Sequence, residues 1–206
     1  MSAVILAAKR SAVCPSGGAF SHCSIEALGA PLIWSLLDAA GVAAEEVDEL
    51  ILGNALGAGG NPARREAAAA LAERHGISRM RADAFAVESH AKALAARARI
   101  AEEIVPIAGV AEDRFTRALS PRTAARARSV AGPVSAANMA VSADGAGLCV
   151  VAAARPGMQA LARIAAADTL GADPLEPGLS ALPAIASVLD RAGLGASDLT
   201  CIDLME

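Results

Sequence analysis

The densest charge in this chain is basic: Arg114, Arg117, Arg122, Arg126 and Arg128 lie close together, with Asp113 just before them. Guanidinium forks match phosphate and diphosphate oxygens, which makes the stretch a candidate anion contact. A solvated face or a salt-bridged subunit contact would have the same composition. Thiols are the second source of chemistry. Cys14, His22 and Cys23 share a Ser- and Gly-rich stretch just after Arg10, and a neighbouring cation lowers a thiol pKa. Their order matches no nucleophile turn, and the adjacent His22 and Cys23 rarely aim at one metal, so ordinary thiols are expected. Cys149 and Cys201 sit inside apolar runs and read as small core residues. His75 falls at a helix end and His90 at the margin of an apolar stripe, and both are expected to be structural. Gly57, Gly59 and Gly60 match no nucleotide-binding spacing and read as a turn, with Asn61 capping the helix that follows.

Strands and helices alternate around these residues. AVILAA (3–8) is a continuous apolar run of strand length, and the Ser- and Gly-rich residues 11–30 read as a loop. Pro31 is expected to open a helix, PLIWSLLDAAG, that Gly41 closes. VDELILGNAL (47–56) reads as a strand, and Pro62 starts an Ala-rich helix that Gly76 ends. Ser78 caps a second long helix with Met80, Ala84, Val87, Ala91, Leu94 and Ala98 on one stripe. Further strands are expected at 103–110, 148–154, 163–170 and 199–205, with a helix over 180–193. The order predicts an α/β fold with a largely parallel sheet.

The composition narrows the class. The chain has 206 residues, of which 54% are apolar, with one Trp and no Tyr, so small aliphatic side chains must fill the core at close backbone approach. The net charge of −4 gives no general attraction to nucleic acid or to an anionic membrane. The best apolar uncharged run, GAGLCVVAAA at 145–154, is about half of what a spanning helix needs, so no membrane partner is expected. The start MSAVILAAKR carries its charges after the apolar run, the wrong order for a secretory signal. Reduced thiols and a cytoplasmic location are therefore expected.

One stretch returns. LLDAAGVAAEEVDELIL (36–52) is echoed by VLDRAGLGASDLTCIDL (188–204), with Leu37, Asp38, Ala40, Gly41, Ala44 and Leu52 identical to Leu189, Asp190, Ala192, Gly193, Ala196 and Leu204. Each copy is a helix, a Gly stop, an acidic turn and an apolar run, and each has an apolar run before it. Two related β-α-β halves are expected.

VILAAKR with PSGGAFS, LLDAAGVAAEEVDELILGNALGAGGNPAR, AERHGISRMRADAFAVESHAKA, GPVSAANMAVSADGAGLCVVA and the run from LARIAAADTL to DRAGLGASDL resemble the thiolase family in the family's own order. Its members make or cleave the carbon–carbon bond of 3-ketoacyl-CoA. The resemblance implies a duplicated α/β fold in five layers, here incomplete. It implies that residues 1–160 form an N-terminal half, with an internal deletion near 70–74 and a loop and helix insertion at about 77–130. Residues 161–206 then begin the C-terminal half.

The resemblance also marks what differs. NPARREAAAA runs directly into LAERHGIS, where the family places a strand and then the nucleophilic cysteine of a Cys-Gly-Ser-Gly turn. Met205-Glu206 stands where the family has Asn-Glu, and the segments that supply its histidine base and second cysteine are expected to be missing. No catalytic residue is assigned and no resident cofactor or metal is implied. Ser135, Ala136 and Asn138 match the CoA-lining stretch, Ala140 replaces a family serine, and Arg122 and Arg126 are the candidate phosphate contacts. The expected protein binds CoA or acyl-CoA as a ligand without unaided acyl transfer. The alternatives are a non-catalytic subunit of an active acyltransferase, or part of an otherwise ordinary thiolase. Exposed sheet edges left by missing strands imply a homo-oligomer, or a hetero-oligomer with a more complete thiolase-like subunit.

Overall fold

A computed structural model describes residues 2–53, 62–140, 142–173 and 176–203. In chain order its strands and helices are β1 (Ala3–Arg10), β2 (Cys14–Pro15), α1 (Ile25–Ala40), α2 (Pro62–Arg74), α3 (Arg79–Ala95), α4 (Arg97–Ala101), α5 (Pro121–Ala125), β3 (Ser129–Ala131), β4 (Val134–Ser135), β5 (Ala143–Asp144), β6 (Gly147–Ala153), β7 (Ala162–Ile164) and α6 (Ala181–Ala192). They divide between two compact units. One takes in residues 1–59, 90–118 and 141–164, and the other residues 60–89, 119–140 and 165–206.

In the first unit β1 is the central strand. Its small apolar side chains let β6 pair on one side, from Ala3 opposite Ala153 to Arg10 opposite Gly147, and β7 on the other. Both pairings are antiparallel, which corrects the expected parallel sheet: β6 and β7 each run opposite to β1, although helices lie between β1 and both of them in the chain. Helix α1 lies against β1 and β6 and buries Leu32, Leu36 and Leu37. Leu32 joins Ala12, Cys14, Phe20, Ile104, Ile107 and Val110 in the main core.

Helix α1 begins earlier than Pro31 suggests. The Ser24 hydroxyl accepts from Ala27 N–H at 3.2 Å, so the cap sits there and Pro31 falls inside the helix, which forgoes one backbone hydrogen bond. Residues 25–30 are thus helix rather than loop, and Cys14–Pro15 pair with Ala143–Asp144. The strand expected over 103–110 reduces to one parallel bridge, Arg10 to Ile104, followed by a tight turn. Ala108 and Gly109 both have positive φ there and let Ile107 and Val110 exchange two hydrogen bonds, the pattern of a hairpin turn with the twist of a strand pair.

Residues 47–53 form no strand. Val47, Leu50, Ile51 and Leu52 are exposed, Ile51 at 78%, and among the described residues no strand offers them a ladder; residues 54–56 lie outside the described residues. The expected turn at Gly57–Gly60 and the Asn61 cap also lie outside them. Trp34 points outward from α1 and is 66% exposed.

The second unit holds α2, most of α3, α5, the β3–β4 hairpin and α6. Its small core is Leu119, Ala124 and Ala137, with Ala86, Val87 and Ala127 against it. Gly132 turns the hairpin at φ +49°, and a Cβ there would come within 3.2 Å of Ala69 on α2, so both conformation and space require glycine. Ser78 caps α3 as expected, accepting from Arg81 N–H. The buried line along α3, however, runs through Asp83, which is 7% exposed, while Met80 is 79% exposed. The expected stripe is offset because a paired carboxylate, rather than a methionine, faces inward. Strand β7 covers only the start of the expected 163–170 strand, and residues 199–203 form none, with 204–205 outside the described residues.

The echo survives at one level. Gly41 N–H bonds Asp38 O and Val42 N–H bonds Leu37 O; Gly193 and Leu194 repeat both bonds onto Asp190 and Leu189. Each pair is the two-bond closure of a helix end, with glycine left-handed at φ +62° and +66°. A short 3₁₀ turn follows in both, Ala44–Glu46 and Ala196–Asp198.

Candidate functional site

Residues 133–140 take in β4 and the turn that follows it, and the side chains of Ser135 and Asn138 are directed inward. The Asn138 side chain fastens it. Its Oδ1 accepts from Ser135 N–H at 2.7 Å, and its Nδ2 donates to Pro133 O at 3.0 Å and to Asp83 Oδ1 at 2.8 Å. Ser135 is wholly buried. Its hydroxyl accepts from Ala137 N–H and lies 3.5 Å from Asp83 Oδ1, the edge of hydrogen-bond range. Ala136 and Ala140 face outward.

Asp83 is in turn paired with Arg79 one helical turn before it, Nε to Oδ2 at 2.7 Å. The same guanidinium donates through Nη2 to Ala124 O at 2.9 Å, which also accepts from Ala127 N–H, and to Ala127 O at 3.0 Å, so it ties the end of the short helix α5 to α3. Helix α5 itself starts where Ser120 accepts from Thr123 N–H and Pro121 takes the first position. Its Arg122, with Arg126 just past the end, is exposed. Beside the turn a concavity of about 660 Å³ is lined by Ala69, Glu73, Ser78, Arg79, Gly132 and Pro133.

The sequence brings Ser135 and Asn138 together, and the structure adds what that reading missed, the Arg79–Asp83 pair. Its signal was the i,i+4 spacing of arginine and aspartate in RMRAD. The basic run does not stay together: Arg114 and Arg117 belong to the first unit and Arg122, Arg126 and Arg128 to the second.

In the first unit the Arg10 guanidinium meets both oxygens of Asp113 at 2.9 Å and Glu103 at 2.8 Å. Burial alone would push the Asp113 carboxyl up. The forked bond to Arg10 and the Val13 N–H at 2.8 Å outweigh it and hold the group below the usual aspartate range. Arg10 is correspondingly harder to deprotonate.

The cysteines do not assemble a site. Burial pushes the Cys14 thiol up, against the direction a nucleophile needs, although Arg114 opposes the shift. His22 is exposed and Cys23 half-buried. Cys149 and Cys201 are exposed, which corrects the expectation that they are core residues: Cys149 alternates with the inward Leu148 along β6, and Cys201 lies in an irregular segment. Burial, with Arg117 nearby, lowers the His90 pKa. Among the described residues no three His, Cys, Asp or Glu side chains are grouped so as to hold a metal, and no helix is long and apolar enough to cross a membrane.

The family model for the thiolase N-terminal domain matches residues 3–71 and 65–155. The chain belongs to the thiolase family. It is similar to the 3-ketoacyl-CoA thiolase of Citrobacter koseri, 35% identical over 156 residues that make up 66% of this chain and 40% of that protein. The 3-ketoacyl-CoA thiolase of Escherichia coli O1:K1 is 33% identical over the same shares. This chain thus spans about two fifths of the length of those relatives. Among solved structures, the acetyl-CoA acetyltransferase of Bacillus anthracis superposes with a TM-score of 0.82 at 19% identity, covering 96% of this chain and 78% of that one. The acetyl-CoA acetyltransferase of Syntrophomonas wolfei gives 0.81 at 17%, over 96% and 77%. The fold is a thiolase fold, and the lineage is that of acyltransferases of acyl-CoA metabolism.

Proposed function

We propose that this thiolase-family chain binds CoA or an acyl-CoA and lacks the segment between α2 and α3 that carries the family's nucleophilic cysteine. The observation that carries this reading is the direct passage from α2 to α3. Gly76 closes α2 with the same two-bond pattern that ends α1 and α6, Gly76 N–H to Glu73 O and Ile77 N–H to Ala72 O, and Ser78 at once caps α3. No cysteine opens a helix between them, where covalent acyl transfer would need a thiolate with an adjacent base. The two segments matched by the family model meet at 65–71, close to the junction proposed near 70–74. On this reading residues 1–160 descend from the N-terminal half, with the insertion at about 77–130, and 161–206 from the start of the C-terminal half.

The ligand side is the turn at 133–140. Ala136 and Ala140 offer a small, open surface that a pantetheine arm would cross, while Ser135 and Asn138 shape the turn from beneath. Arg122 and Arg126 supply the phosphate contacts. The neighbouring concavity is of a size suited to such a ligand.

Titration calorimetry with CoA tests this reading. Binding that weakens at least about tenfold in Arg122→Ala/Arg126→Ala supports it, and absence of binding by the unaltered protein overturns it. Acetoacetyl-CoA cleavage tests inactivity; turnover that survives replacement of Cys14 and Cys23 would sink the account of the missing nucleophile.

A second reading is a non-catalytic subunit, homo-oligomeric or joined to a more complete thiolase-like partner in the cytoplasm. The exposed Val47, Leu50, Ile51 and Leu52 favour it, since strand-forming apolar residues are normally covered. Light scattering of the purified protein, alone and mixed with an active thiolase, tests it: a monomer in both cases rejects it.

A further inference from the structure

We infer that Asp83, held by Arg79, is a positioning residue for ligand binding, because it sets the shape of the 133–140 turn without touching the ligand. The inference rests on the CoA-binding reading above and names a residue that reading did not contain.

Asp83 is a carboxylate placed where an apolar residue would be the ordinary choice, on the buried line of α3. A buried charge is tolerated only with partners, and its partners here belong to two segments, its own helix and the 133–140 turn. Arg79 neutralises it from its own helix. Asn138 donates to it from the turn, and Arg79 carries the connection on to two carbonyls at the end of α5, Ala124 O and Ala127 O. Asn138 has two amide protons, and both are used: one on Asp83, the other on Pro133 O within the turn. Its oxygen is therefore aimed at Ser135 N–H, and that bond folds the backbone so that Ala136 faces out and Ala137 in. Removing the charge at Asp83 frees the amide to rotate, and the exposed face of the turn then has no fixed geometry. One ion pair thus fixes both proposed ligand elements, the turn with Ala136 and the α5 end that precedes Arg126.

The same residues explain why the pair is more than a helix staple. An exposed i,i+4 pair contributes little, and its loss would be felt only in helix stability. Here the loss would reach residues far along the chain from Asp83.

The test uses Asp83→Asn, Asn138→Ala, Arg122→Ala and their combinations in the full chain, with thermal melts to confirm folding. Hydrogen exchange of the 135–139 amides and the CoA dissociation constant are both measured. Asp83→Asn is expected to speed exchange at 135–139 and weaken CoA binding, each by about tenfold. Its effect should fail to add to that of Asn138→Ala, since both act through one contact, and should add to that of Arg122→Ala, which acts through another. Unchanged exchange at 135–139 in Asp83→Asn overturns the inference, as does full additivity with Asn138→Ala. If the unaltered protein binds no CoA, the functional reading fails, and the exchange cycle alone decides whether Asp83 sets the turn. If Asp83→Asn does not fold, Arg79→Lys, which keeps a charge but not the fork to the α5 carbonyls, must give the same exchange signature for the inference to stand.

Discussion

The two echoing regions agree in chemistry and differ in packing. Residues 37–46 and 189–198 share the left-handed glycine, the two closing hydrogen bonds and a 3₁₀ turn, and in each an acidic side chain reaches back to the residue before that turn. Glu46 accepts from Ala43 N–H at 2.9 Å and Asp198 from Gly195 N–H at 2.8 Å. Yet α1 buries three leucines against a sheet, whereas no residue of α6 is fully buried. Helix α6 is tied instead by polar contacts. Ser187 hydrogen-bonds Asp168, which lowers that carboxyl's pKa, and Arg191 donates to Ala167 O at 2.9 Å. Local punctuation is written in a few residues and repeats with them; burial depends on what stands opposite, and it has not repeated.

Substitutions can break or sharpen this contrast. The largest effect is expected from Leu37→Ala, which should destabilise by about 2–4 kcal/mol in denaturant unfolding, while Leu189→Ala at the matching half-buried position should cost less than about 1. Equal costs would show that α6 is as deeply packed as α1. Asp113→Asn comes next, at about 2 kcal/mol near neutral pH, for the loss of a charged forked bond. Because the folded carboxyl titrates below its unfolded value, its contribution is present above about pH 4 and fades as the pH falls through the folded value. The variant's stability should therefore converge on that of the unaltered protein in acid, and a constant gap across pH would exclude the pair as its cause.

Gly41→Ala and Gly193→Ala should each cost about 1 kcal/mol and should cost the same, since a Cβ meets open space at both positions and only the left-handed backbone is strained. Unequal melting shifts would mean that the caps are not equivalent. Smallest are Glu46→Gln and Asp198→Asn, about 0.5 kcal/mol each, because both caps are exposed.

What could be read from the sequence follows the same division. Gly41, Gly76, Gly193 and Ser78 announced helix ends because each acts through its own backbone or its nearest amides. The strand cores of β1 and β6 were plain from apolar runs. Pairing direction was not, since AVILAA reads alike in either orientation, and neither was the fate of VDELILG, whose composition asks for a neighbour that the described residues do not supply. At the candidate site, Ser135 and Asn138 were found through family resemblance. Asp83 was not, because a single helical offset moved the apparent apolar stripe past it, and only its distant partner Asn138 reveals the burial.

Trp34 has a practical consequence. With no tyrosine in the chain and this one indole standing outward on α1, ultraviolet emission comes from a single site already in contact with water. Melting the fold should barely move its colour, whereas a protein that settles over the outer side of α1 should shift it to the blue, so the chain carries a built-in reporter of company rather than of order.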